Sequence, residues 1–226
     1  MSILKFPPVE SADESGLLAI GGDLEIDSLL LAYENGIFPW PISDEYPLAW
    51  FSPNPRGVLK YSDFHCSKSF KKFIKNTSYW VEYNQNFSQV IQNCATAKRK
   101  DQDDTWITDE IIQSYIDFNS CGLAYSVETY DMIDNQKTLV GGLYGVCIGN
   151  FFSGESMFYT QDNASKFALY SLMNKLHENG IEWLDTQMVT PIIKDLGGSE
   201  VRRSDFLKMI KQADIHSRRP SKIFNT

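Results

Sequence analysis

Glu155 is the one carboxylate in the run Gly141-Gly142-Leu143-Tyr144-Gly145-Val146-Cys147-Ile148-Gly149-Asn150-Phe151-Phe152-Ser153-Gly154-Glu155-Ser156-Met157-Phe158, which is otherwise glycine and large apolar residues. A second polar pair lies in Ile181-Glu182-Trp183-Leu184-Asp185-Thr186-Gln187-Met188. The two-residue repeat of a strand puts Asp185 and Gln187 on one face, side by side. Two carboxylates and an amide on core strands need a reason. Asp185 and Gln187 read either as a satisfied polar tie between strands or as groups that handle a substrate, and Glu155 reads either as a buried salt bridge or as a functional acid.

The elements that would carry these residues alternate along the chain. A short helix is expected from Asp27 as N-cap through Leu29, Leu30 and Tyr33 to Gly36 as the residue past its end. Trp40 then sits between Pro39 and Pro41 on a stiff loop, where an indole is either a core plug or a platform on which a ring can stack. Phe70, Phe73 and Ile74 give one helix an apolar face while Lys68, Lys72 and Lys75 line another, and Phe87, Val90, Ile91 and Cys94 repeat the 3.6-residue rhythm in the next. A loop runs from Lys98 to Asp104, and a helix follows from Asp109 to Phe118. Leu123–Tyr130 and Thr138–Ile148 read as strands, with Gly149-Asn150 turning into Phe151-Phe152-Ser153-Gly154-Glu155. Asn163 is expected to cap a helix carrying Leu169, Leu172, Met173 and Leu176 and closed by Gly180, and Ser204 to cap one through Phe206, Leu207 and Ile210.

With 226 residues, 25.8 kDa, 42% hydrophobic and 22% charged residues, the chain reads as a soluble globular protein with one sizeable core and room for a smaller appendage. No apolar run is long enough for a membrane span and the start lacks a signal-peptide layout, so a cytoplasmic location is expected. Cys66, Cys94, Cys121 and Cys147 are far apart in apolar segments and are expected to be buried free thiols. His65, His177 and His216 are scattered, with no metal-ligand spacing. The net charge of −8 is uneven: residues 60–75 carry +4 and residues 201–222 carry +5, leaving −17 for the rest. Such asymmetry fits a protein that holds a polyanion locally, or simply two solvated helix faces.

Eight segments in one order resemble a known family: Gly16-Leu17-Leu18-Ala19-Ile20-Gly21-Gly22-Asp23-Leu24, Ala32-Tyr33-Glu34-Asn35-Gly36-Ile37-Phe38-Pro39-Trp40, Trp50-Phe51-Ser52-Pro53-Asn54-Pro55-Arg56, Thr105-Trp106-Ile107-Thr108, Gly141-Gly142-Leu143-Tyr144-Gly145, Gly154-Glu155-Ser156-Met157-Phe158, Asn163-Ala164-Ser165-Lys166 and Asp185-Thr186-Gln187. Together they are similar to leucyl/phenylalanyl-tRNA-protein transferases. The resemblance implies an α+β fold: a small N-terminal domain, residues 1–57, joined to an acetyltransferase-like (GNAT) domain, residues 58–226, with a mixed sheet flanked by helices. It also implies a reaction, the transfer of Leu or Phe from the 3′ end of an aminoacyl-tRNA to the α-amine of proteins that begin with Lys or Arg, which marks them for degradation. Aminolysis of an activated ester requires no covalent nucleophile, no metal and no cofactor; it requires the ester and a neutral amine held together and the oxyanion stabilised.

By the same resemblance, Gln187 stands beside the attacking amine, oriented by Asp185, whose charge also suits the cationic first residue of the acceptor. Glu155 holds the α-amino group of the aminoacyl moiety. Leu143, Phe152, Met157, Leu169, Leu172 and Leu184 line the pocket for the Leu or Phe side chain. Trp40 and Trp106, with Tyr33 nearby, form a platform for the terminal adenine. Lys68, Lys71, Lys72 and Lys75 meet phosphates of the acceptor stem. The chain departs from the family at Pro191-Ile192-Ile193-Lys194-Asp195-Leu196-Gly197-Gly198, where a His-Leu-x-Ser-Leu-Gly-Ala run is usual. Two other classes are an acetyl-CoA-dependent acetyltransferase, whose pyrophosphate loop (Gln/Arg-x-x-Gly-x-Gly/Ala) is not found, and a non-catalytic RNA-binding module.

Overall fold

The structure, a computed structural model, describes residues 2–41, 47–97, 105–215 and 223–224. The Lys98–Asp104 loop and the basic tail with His216, Arg218, Arg219 and Lys222 lie outside the described residues.

Helix α1 spans Ile26–Glu34 and buries Leu29, Ala32 and Tyr33. It starts from Glu25 rather than from Asp27; Asp27 falls in the first turn, where its charge meets the positive end of the helix dipole. At the other end Gly36 adopts a φ of +69°, its N–H donates to the Tyr33 carbonyl at 3.1 Å and Ile37 N–H donates to the Ala32 carbonyl at 2.9 Å. This paired closure needs a left-handed residue, which glycine supplies without steric cost. Short strands β1 (Leu17–Ile20), β2 (Phe38–Pro39) and β3 (Ala49–Phe51) form a three-stranded antiparallel sheet in the order β1-β3-β2.

A second sheet of seven strands takes in β4 (Arg56–Lys60), β5 (Trp80–Tyr83), β6 (Ala124–Ile133), β7 (Gln136–Ile148), β8 (Phe151–Tyr159), β9 (Trp183–Gln187) and β10 (Ser199–Val201), ordered β10-β4-β9-β8-β7-β6-β5. The sheet is mixed: β8 and β9 run parallel and the other neighbours antiparallel. A parallel pair needs a crossover, and α5 (Ala164–Glu178) provides it. The remaining helices are α2 (Lys68–Asn76), α3 (Phe87–Thr96), α4 (Asp109–Ser120), α6 (Pro191–Asp195) and α7 (Arg203–Gln212). Asn163 stands before α5 at φ +64° without a capping side-chain bond, and α7 begins after Arg202, so Ser204 lies inside the helix instead of capping it.

Alternation along the central strands splits the apolar residues into two layers. On one face Ala124, Tyr144, Val146 and Ile148 pack with α3, α4 and the first fifty residues, including Tyr33, Phe38 and Trp50. On the other, Tyr125, Val127, Leu143, Cys147 and Phe152 pack with Ala168, Leu169, Leu172 and Leu176 of α5. Cys94 and Cys147 are buried free thiols, as their surroundings suggest, but Cys121 at the end of α4 is exposed and Cys66 half-exposed. Among the described residues no helix is long and apolar enough to cross a membrane.

Two irregularities in the ladder fall at the polar residues. Gly145 pairs with Gly154 while Tyr144 pairs with Ser156, so Glu155 is the extra residue of a bulge in β8. Val58 pairs with Asp185 while Gly57 pairs with Gln187, which makes Thr186 the extra residue in β9. Gly145 leaves no room for a side chain there: a Cβ would lie 2.2 Å from the Ser153 carbonyl oxygen. Bulges re-aim side chains that a regular pleat would send elsewhere.

Candidate active site

Strand pairing of Ser153 with Asp185 brings the bulged ends of β8 and β9 together. Asp185 is fully buried and accepts four hydrogen bonds. Arg56 donates to it from both sides of its fork, Nε to Oδ1 at 2.8 Å and Nη2 to Oδ2 at 2.6 Å. The Gln187 backbone N–H donates to Oδ1 at 2.9 Å, and the Ser153 hydroxyl lies 3.0 Å from Oδ2. The guanidinium is itself enclosed, between the rings of Phe38 and Phe206 at 4.7 and 4.5 Å, and its Nη1 donates to the Gly36 carbonyl that closes α1. Such bidentate charge-assisted pairing holds Asp185 in one orientation.

Gln187 has a φ of +60°. The backbone bond to Asp185 closes this left-handed turn, so strict alternation ends before Gln187. Gln187 Nε2 donates to Glu155 Oε1 at 3.0 Å, and the Ser153 hydroxyl reaches the same oxygen at 3.3 Å. Among the described residues Glu155 Oε2 is enclosed without a hydrogen-bond partner, as is the Thr186 hydroxyl. Burial pushes the Glu155 carboxyl up to about 7, Asp185 adding to the rise, against hydrogen bonding from Tyr33, Gln187 and Ser153 that pulls it down. Among the described residues Glu155 makes no ion pair. The Tyr33 and Tyr115 hydroxyls, from α1 and α4, bond to each other beside it. Burial and then the Glu155 charge raise both phenols well above their ordinary range.

The structure thus brings Asp185, Gln187 and Glu155 together, with changes of detail. Asp185 has no exposed surface and its charge is met by Arg56, so it does not face a cationic acceptor residue. Tyr33 is buried, its ring stacked on Phe118, so the ring is no surface for a base; its hydroxyl end belongs to the Glu155 cluster. Trp40 and Trp106 do meet, partly exposed, with ring centroids 6.2 Å apart and planes at 49°. Leu143, Phe152, Leu169, Leu172 and Leu184 fall into one cluster with the partly buried Met157 against it. Lys68, Lys71, Lys72 and Lys75 are all exposed on α2, which rests its Phe70 on Tyr170 of α5.

Sequence reasoning misses Arg56, Ser153 and Tyr115 as members of this cluster. Arg56 directly precedes the apolar Gly57-Val58-Leu59, a setting in which a buried charge must find a partner. Tyr115 shares a helical stripe with Ile111 and Phe118 and reads as core; nothing local marks its hydroxyl.

The family profile described as leucyl/phenylalanyl-tRNA protein transferase matches residues 58–211, and that of its N-terminal domain matches residues 22–54. Three relatives carry the name leucyl/phenylalanyl-tRNA–protein transferase. The one from Pseudoalteromonas atlantica is 46% identical over 94% of this chain and 89% of its own length. That from Flavobacterium johnsoniae is 43% identical over 92% and 96%, and that from Sulfurimonas denitrificans 43% identical over 94% and 90%. A solved structure described as L-PGS from Bacillus licheniformis is only loosely similar, with a TM-score of 0.37 and 12% identity over 71% of this chain and 49% of that one.

Proposed function

Because the chain belongs to the leucyl/phenylalanyl-tRNA protein transferase family, we propose that the Glu155–Gln187–Asp185 cluster is where it moves Leu or Phe from aminoacyl-tRNA to a protein. The observation that carries this assignment is the pair of bulges that aims an uncompensated carboxylate, Glu155, and an amide, Gln187, at one point between parallel strands. Aminolysis of an ester asks for such groups: a carboxylate for amine chemistry and a fixed amide beside the attacking nitrogen. Asp185 acts behind Gln187, holding its backbone in the left-handed turn.

The acyl pocket in this reading is formed by Leu143, Phe152, Met157, Leu169, Leu172 and Leu184, with Met157 at its accessible edge. Trp40 and Trp106 receive the terminal adenine, and the α2 lysines receive the acceptor-stem phosphates. The acceptor is a protein beginning with Lys or Arg, the product is marked for degradation, and the enzyme works in the cytoplasm. The acetyltransferase-like label for residues 58–226, after a small domain of residues 1–57, is supported by the crossover helix α5 between the sheet's parallel strands.

Transfer of labelled leucine from Leu-tRNA to peptides that differ only in their first residue tests this reading. Lys- and Arg-initiated peptides should become labelled and Ala- or Glu-initiated ones should not. Equal labelling of all four would remove the acceptor specificity, and no labelling of any would remove the reaction.

A further inference from the structure

In the proposed reaction the acceptor's α-amine lies at Gln187, and the first side chain of the acceptor carries a positive charge that a carboxylate must meet. Asp185 does not meet it, because it is fully buried and paired with Arg56. Glu155 is enclosed beside Tyr33 and Tyr115. Another acid stands in the same row of the sheet as the amide. Gln187 on β9 pairs with Gly57 on β4, and Gly57 pairs with Glu200 on β10, so Gln187 and Glu200 lie two strand spacings apart, roughly 10 Å between their backbones. Val58 packs into the layer of Phe206 while Leu59 packs into the layer of α5. Alternation therefore puts Gly57 and Glu200 on the Leu59 side, the side that holds Leu143, Leu169 and Leu184 of the proposed acyl pocket. Glu200 is exposed on the last strand of the sheet. Among the described residues it makes no ion pair; Arg202 is engaged with Asp205, and Arg203 donates to the Ser52 carbonyl.

The span between amide and acid is apolar. The Met188 N–H donates to the Thr186 carbonyl, a tight turn at Gln187 that sends the chain back over Gly57. A Cβ on Gly57 would lie 2.6 Å from the Met188 carbonyl carbon, so the crossing depends on a bare residue in β4. Met188 thus stands over the middle of the row, between Gln187 and Glu200, with its side chain 43% exposed. Amide, thioether and carboxylate follow one another outward to the edge of the sheet.

We propose that Met188 and Glu200 read the first residue of the acceptor: its α-amine stays at Gln187, its methylene stem lies along Met188 and its terminal ammonium or guanidinium meets the Glu200 carboxylate. This rests on the transfer to Lys- or Arg-initiated proteins assigned above. Lys and Arg lay their stems along apolar surface while the charged head stays in water, and an exposed methionine followed by an exposed carboxylate accepts both parts. A neutral side chain of the same length forfeits the ion pair, and an acidic one meets a like charge. Because Glu200 acts from the open rim, its contribution is modest and weakens with salt.

Steady-state transfer of leucine from Leu-tRNA to two peptides, identical except that one begins with Lys and the other with Nε-acetyl-lysine, tests the assignment. Wild type should show the lower KM for the Lys peptide. Glu200→Gln should raise that KM about fivefold, the scale of one exposed ion pair, and leave the KM for the acetyl-lysine peptide, kcat and the affinity for Leu-tRNA unchanged. Met188→Ser should raise both peptide KM values together. Asp195, an exposed acid on α6 outside the row, supplies the control: Asp195→Asn should keep the wild-type preference for Lys. A Glu200→Gln enzyme that still prefers Lys by the wild-type margin would overturn the proposal while the family reaction stands. An equal loss of preference in Asp195→Asn would overturn it too, since a diffuse negative field and not a contact would then attract the acceptor. Unchanged KM values in Met188→Ser would overturn the stem contact. A wild type with one KM for both peptides would sink the Lys or Arg acceptor reading and this inference with it, and absent transfer would sink the reaction itself and the proposal together.

Discussion

Arg56 and Asp185 place a full positive and a full negative charge where water does not reach, and neither is tolerable without the other. Removing one partner of a buried pair strands the other at a cost of about 3–5 kcal/mol, while replacing both with apolar residues can be nearly neutral. Arg56→Met and Asp185→Leu should therefore each destabilise the chain strongly in urea unfolding, and the double variant should be far closer to wild type than the two single losses combined. Additive losses would mean that the pair does not act as a unit. Glu155 makes the opposite prediction for stability. A carboxyl that titrates near 7 folded and near 4.5 unfolded binds more protons in the folded chain between those values, so stability falls as pH rises from about 4.5 to about 7. Glu155→Gln should flatten that slope and raise the melting temperature at pH 8 while it lowers turnover. A fall in melting temperature at pH 8 would make Glu155 a structural carboxylate.

At the scale of strands and helices, periodicity shows much of what the structure contains and fails where partners decide. The α3 stripe of Phe87, Val90, Ile91 and Cys94 is buried as its spacing predicts, and the β7 to β8 hairpin turns at Gly149-Asn150. Asp185 and Gln187 are adjacent, yet not by strand alternation. A bulge depends on how two ladders register against each other, and neither β4 against β9 nor β7 against β8 declares its register in local sequence. Arg56 and Asp185 lie 129 positions apart, so only the fold pairs them. The family motifs locate Glu155, Asp185 and Gln187 without explaining how they meet. Because the bulge at Glu155 relies on Gly145, whose Cβ would meet the Ser153 oxygen at 2.2 Å, Gly145→Ala must push β8 away. That variant should lose activity well beyond its loss of folded fraction, measured by turnover and circular dichroism on the same samples. Activity that merely follows the folded fraction would show that the bulge does not position the carboxylate.

Over the whole molecule, charge is sorted in a way that the net value of −8 conceals. The +4 of residues 60–75 lies largely on α2, where Lys68, Lys71, Lys72 and Lys75 are exposed, and the helix is fastened beneath by Phe70 and Phe73 against Tyr170 and Tyr79. Tyr79 in turn meets Phe167 on α5, the helix whose Leu169 and Leu172 belong to the cluster proposed as the acyl pocket. If the α2 lysines receive the phosphates as proposed, the phosphates would sit over the same helix that backs the proposed pocket, while the −17 elsewhere would discourage the polyanion from other faces. Lysines that meet phosphate act through released counterions, each contact contributing slightly less than one to the slope of log affinity against log salt. Replacing Lys68, Lys71 and Lys72 with Ala should weaken tRNA binding most at low salt and reduce that slope by about 2–3. The melting temperature should hardly move, since surface lysines on an exposed helix face contribute little to folding. Affinity measured over a salt series decides the matter: weaker binding with an unchanged slope would mean that these side chains shape the surface rather than contact the phosphates.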